Sequence, residues 1–129
     1  MRKQEESMQI AVSKYLQLQY PNVIFTSESS GVRLTMGQAV KAKKMRSHGK
    51  LPDMIILEPR VPYKGMCLEL KREGEKVFKQ NGEPFPGHVA EQHRTLMKLS
   101  AKGYYAEFAC GLTEAKLLID HYMSGYGIR

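Results

Sequence analysis

Pro52-Asp53-Met54-Ile55-Ile56-Leu57 and Gly65-Met66-Cys67-Leu68-Glu69-Leu70-Lys71 decide how this chain of 129 residues folds. The first run is short, continuous and apolar after a turn residue, the pattern of an interior strand, and Glu58-Pro59-Arg60-Val61-Pro62-Tyr63 breaks it. The second run gives the next strand. Their connection is brief and proline-rich, which predicts an antiparallel pair with a loose loop. Side chains alternate along a strand, so Glu69 and Lys71 share one face while Leu68 and Leu70 point into the opposite packing layer. Asp53 lies sixteen positions before Glu69. Two carboxylates and one ammonium are thereby expected at a common strand edge.

Outward from this pair, Met8, Val12, Tyr15, Leu16 and Gln19 recur at steps of three and four, predicting a helix from Lys3 to Tyr20 that Pro21 ends. Asn22 to Ser27 reads as a strand and Glu28 to Leu34 as a loop. A second helix is predicted over Met36 to Ser47, with Thr35 as N-cap and Gly49 beyond its end. Arg72 to Gly87 is polar and punctuated by glycine and proline, without sustained periodicity, which predicts a mobile loop. His88 to Lys102 resumes helical spacing, with Gly103 as terminator, and Tyr104 to Cys110 reads as a strand. Thr113 is expected to cap a last helix carrying Ala115, Leu118, Ile119 and Tyr122. The order is αβαββαβα, and with no repeat or linker residues 1–129 are read as one mixed α/β domain.

Twenty Lys and Arg against thirteen Asp and Glu leave a formal charge of +7. The excess clusters at Lys41, Lys43, Lys44, Arg46 and Lys50, with Arg33 just upstream, a pattern suited to the phosphate backbone of a nucleic acid. No stretch approaches the roughly 18 apolar residues that would span a bilayer. The charged start, Met1-Arg2-Lys3-Gln4-Glu5-Glu6, lacks the apolar region of a secretory signal. Cys67 and Cys110 stand far apart inside apolar runs, with no metal-ligand spacing, and are read as reduced buried thiols. A cytoplasmic location is expected, with no membrane partner.

A divalent cation such as Mg²⁺ takes hard oxygen ligands and keeps several waters, so one or two carboxylates with a backbone carbonyl suffice. Asp53 and Glu69 can supply the carboxylates, and the carbonyl of Leu70, between Glu69 and Lys71, a third oxygen. Lys71 is placed either to hold the attacking water or to neutralise the charge that grows on phosphorus, and the second task needs no depressed pKa. The chemistry such an edge suits is metal-dependent phosphodiester hydrolysis. Ser30-Gly31-Val32-Arg33 makes neither a GxGxxG nor a Walker loop, so no nucleotide cofactor is expected. None of His48, His88, His93 and His121 belongs to an HxH or HExxH set; His88 and His121 are read as surface or capping residues.

Gly49-Lys50-Leu51-Pro52-Asp53, then Glu69-Leu70-Lys71, then Glu91-Gln92 in a predicted helix, together resemble the virus-type replication-repair nuclease domain, VRR-NUC. The element order is likewise similar to the restriction-endonuclease-like PD-(D/E)xK core, a mixed central sheet flanked by helices. The resemblance covers nearly the whole chain. It implies a Mg²⁺- or Mn²⁺-dependent DNA endonuclease of stand-alone phage or bacterial type, acting on branched DNA such as Holliday junctions and working as a homodimer. It places the family's amino-terminal glutamate on Glu5, which shares a helix face with Met8, Gln9 and Val12; Glu6 is the competitor. It places the family's helix glutamine on Gln92, and it implies metal ligation by Asp53 and Glu69 with Lys71 beside them. The excursion from Arg72 to Gly87 is longer than in many relatives. Two other readings remain: a nucleic-acid-binding module without turnover, and a sequence-specific restriction endonuclease, for which the chain has little spare length.

Overall fold

The computed structural model describes residues 2–28, 35–47 and 50–125, with side chains from Glu6 onward. The elements run α1 (Arg2–Gln19), β1 (Phe25–Ser27), α2 (Met36–Lys44), β2 (Met54–Ile56), β3 (Met66–Lys71), α3 (His88–Ala101), β4 (Tyr105–Cys110) and α4 (Leu112–Met123), the expected order. The strands form one mixed sheet, β1-β2-β3-β4. The first two pairings are antiparallel and β3 with β4 is parallel. A parallel pair needs a crossover, and α3 provides it.

The two faces of the sheet bury different chemistry. On one face Met54, Ile56, Met66, Leu68 and Leu70 pack with Val12 and Leu16 of α1 and Ala115 and Ile119 of α4. On the other, Phe108 packs with Leu96 of α3 and Val77. Glu69 and Lys71 share this second face, because they alternate with Leu68 and Leu70. Gly65 sits where β3 leaves the hairpin: a Cβ there would lie 2.9 Å from the carbonyl oxygen of Ile56, too close for any larger residue.

The element boundaries depart from the sequence expectation in four places. β1 is shorter, because Pro21 and Asn22 form a turn and the Val23 N–H closes onto the Tyr20 carbonyl. α2 ends at Lys44 with Met45 as C-cap rather than reaching Ser47, though Thr35 caps its start as expected, in a reciprocal pair with Gln38. The N-cap of α4 is Gly111, not Thr113, at φ +96, and Glu114 accepts the Cys110 N–H at 2.6 Å. The fourth departure is larger. Within the loop expected from Arg72 to Gly87, residues 77–85 form a small hairpin, with Phe78 bridged to Pro84 and the Phe85 N–H bonded to the Val77 carbonyl. A single buried anchor, Val77, holds it on the sheet, and one apolar anchor produces no periodicity.

Candidate active site

The pairing of Met54 with Leu68 sets the site, because it brings Asp53, one residue before β2, level with Glu69 on β3. Asp53 is then fixed from both ends. Its Oδ2 accepts the Leu70 N–H at 2.8 Å, and its carbonyl accepts the Glu28 N–H at 2.7 Å. Glu69 and Lys71, only 7% and 4% exposed, rise from the same face of β3. From α3 the Gln92 Nε2 donates to Glu69 Oε2 at 2.8 Å. Lys71 Nζ lies 3.9 Å from Glu75 Oε2, in the stretch that follows β3.

Burial pushes the Asp53 carboxyl above the usual carboxylate range. The Leu70 N–H, contact with the Glu69 carboxyl and the charge of Lys71 act against burial, while the charge of Glu28 adds to it. Two touching carboxylates in a half-dry pocket favour a proton or a cation between them. On the amide that holds Glu69, the Gln92 Oε1 is buried and has no hydrogen-bond partner among the described residues, so the site keeps one acceptor in reserve. Among the described residues no group of three or more His, Cys, Asp or Glu is arranged to hold a metal ion. A pair of carboxylates still fits Mg²⁺, which keeps waters and takes oxygens from a phosphate rather than demanding a full protein cage.

Asp53, Glu69, Lys71 and Gln92 thus lie together in the structure. The side chain of Glu5 and all of Arg33, His48 and Gly49 lie outside the described residues. Gln9, one turn after Glu5, is 6% exposed and does reach the site. Its Nε2 donates to the carbonyls of Glu28 at 2.6 Å and Asp53 at 3.2 Å, tying α1 to two strand ends. Glu6 is half-buried. Sequence reasoning misses Glu28 and Gln9 as residues of the site. The signal for Glu28 is its place directly after a strand, since the pairing of Ser27 with Met54 sets Glu28 beside Asp53. His88, expected at the surface, is exposed but lies 3.4 Å from the Gln92 amide.

Residues 28 and 53, between which α2 and the basic residues lie in the chain, are hydrogen-bonded through their backbones. No residue of α2 is buried. Lys41, Lys44 and Lys50 are exposed, and Arg46 is half-buried.

The fold is a mixed four-stranded α/β sheet with helices on its faces, and Asp53, Glu69 and Lys71 stand together where β2 begins and β3 ends. A solved structure described as a VRR_NUC domain protein matches it with a TM-score of 0.66, covering 95% of this chain and 90% of that one. At 20% identity the likeness is one of fold, and the fold is the one the motifs resemble. No protein-family model and no curated protein matches the sequence. Among the described residues no helix is long and apolar enough to cross a membrane.

Proposed function

We propose that the chain, residues 1–129 as one domain, is a Mg²⁺- or Mn²⁺-dependent DNA endonuclease that hydrolyses phosphodiester bonds, selective for branched DNA such as Holliday junctions. The observation that carries this reading is the convergence of Asp53, Glu69 and Lys71 at one strand edge, with Asp53 locked by the Leu70 N–H. Asp53, Glu69 and the Leu70 carbonyl would hold the cation, which when bound acts as a Lewis acid on the phosphate and acidifies the attacking water.

The rest of the chemistry belongs to the chain's own side chains. Lys71 is nearly buried, so its charge acts on the transition state with little solvent screening. Gln92 holds Glu69 through Nε2 and leaves Oε1 to accept a hydrogen from the nucleophilic water. Glu5 serves as an outer-sphere or second-metal carboxylate. Arg33, Lys41, Lys44, Arg46 and Lys50 contact backbone phosphates and position the DNA without reading sequence.

Two copies would cut opposed strands of a branched substrate, and exposed apolar side chains such as Leu18, Ile24 and Leu57 favour a homodimer. Two unpaired cysteines suit the cytoplasm of a bacterial cell or phage host.

Digestion of plasmid and of a synthetic four-way junction in Mg²⁺, Mn²⁺ or EDTA, beside Lys71→Ala, tests the reading. Cleavage by the wild type in metal alone, lost in the variant, is expected; binding without cleavage under all conditions would favour a module without turnover.

A further inference from the structure

The hairpin of residues 77–85 carries two partly exposed aromatics, Phe78 at 41% and Phe85 at 38%. Phe78 is not a loose surface ring. It stands perpendicular to His93 at 5.3 Å and to Phe108 at 5.8 Å, and those two rings are parallel to within 6°. Val77, next to it, is buried against Leu96 and Phe108, so the backbone that carries Phe78 is anchored. The exposed part of the ring is therefore held in advance, and a flat ligand that covers it loses little side-chain entropy on the protein side.

The location ties this aromatic surface to the carboxylates. Phe108 is the β4 partner of Glu69 in the parallel register, so the two side chains leave the same face of the sheet one strand apart. His93 follows Gln92 on α3. The hairpin itself starts from the stretch whose Glu75 lies against Lys71. Lys76 and Lys79, both exposed, precede and follow the Val77-Phe78 pair in the sequence. A flat aromatic face held in advance against Phe108, on the same face of the sheet as the proposed cleavage centre and with exposed lysines close by in the chain, suits the base of an unpaired nucleotide.

We infer that Phe78, braced by His93 and Phe108, is a stacking platform for an unpaired base next to the bond that is cut. The inference rests on the proposed nuclease reading and narrows its substrate to DNA with unpaired or frayed nucleotides at the cleavage point. A fully paired duplex keeps its bases within the helix and gains nothing from this surface.

Fluorescence anisotropy in EDTA, with a labelled single strand and the same strand annealed into a blunt duplex, separates this claim from catalysis. Phe78→Leu keeps an apolar side chain on the anchor while removing the ring, and Phe78→Trp keeps a stacking face. Phe78→Leu should weaken single-strand binding by about tenfold and leave duplex binding unchanged, with Phe78→Trp near wild type. Equal loss on both DNAs, or no loss on the single strand, overturns the platform. If the ring-dependent binding is found but the wild type cuts no DNA in Mg²⁺ or Mn²⁺, the nuclease reading fails and Phe78 remains a base-binding surface without a cleavage role; cleavage of frayed junctions unaffected by Phe78→Leu overturns the platform and leaves the nuclease reading in place.

Discussion

The Leu70 N–H donates to Asp53 Oδ2 across 2.8 Å, linking the carboxylate before β2 to the strand that carries Glu69 and Lys71. This bond orients one oxygen of Asp53 and leaves the other to a cation or a proton shared with Glu69. Because burial raises the Asp53 pKa, the folded state holds its proton more tightly than the unfolded chain does. The metal-free protein therefore loses stability as pH rises above the ordinary carboxylate value of 3.8 through the raised one. Asp53→Asn removes that cost and still accepts the Leu70 N–H. Thermal unfolding at neutral pH in EDTA should show the variant more stable by about 1 kcal/mol, with cleavage lost. A variant less stable than wild type in EDTA would contradict the burial argument.

Gln92 is tied to the proposed cation site through its hydrogen bond to Glu69. Supporting groups of this kind typically change metal affinity or activity by about 10- to 100-fold. Gln92→Ala should lower cleavage within that range and raise the Mg²⁺ concentration needed for half-maximal rate. Gln92→Glu should be worse, since it sets a third carboxylate against Glu69. Kinetics over a Mg²⁺ titration checks both.

The exposed lysines of α2 bury no part of the helix, so replacing them leaves the fold intact. Lys41→Gln with Lys44→Gln should weaken DNA binding at low salt and reduce the slope of log K against log salt by about 0.9 for each phosphate that is no longer neutralised. The rate at saturating DNA should hold. An unchanged slope would remove α2 from the DNA-binding surface.

Away from the site, Tyr15 and Tyr20 both donate to Asp120, at 2.6–2.7 Å. The hydrogen bond to Asp120 pushes the Tyr15 phenol up to about 12, and burial with the same carboxylate does so for Tyr20. Their contribution to stability is present below the ordinary value of 10 and fades as pH rises towards 12. Ultraviolet titration of the phenolates should show late-ionising tyrosines, two of which shift down in Asp120→Asn.

The order of elements is legible in the sequence because α1, α3 and α4 carry three-four spacing, α2 carries a capping residue at Thr35, and each interior strand is a continuous apolar run. The Asp53, Glu69 and Lys71 edge is legible too, because charged groups stand inside or beside those runs. Three features are not. Glu28 acts through a register that only the pairing of Ser27 with Met54 reveals. Gln9 looks like an ordinary helix-face amide until its partners, two backbone carbonyls distant in sequence, are seen. The 77–85 hairpin hides behind polar composition, although Asn81-Gly82 is a turn dipeptide, and Asn81 Oδ1 does accept the Glu83 N–H at 3.0 Å.

The central claim is a cation seated between Asp53 and Glu69, and Mn²⁺ binding to the DNA-free protein, followed by electron paramagnetic resonance, tests it without recourse to catalysis. The account predicts a saturable site in the wild type and in Lys71→Ala that is lost in Asp53→Asn and in Glu69→Gln. Equal Mn²⁺ binding by all four proteins would contradict it.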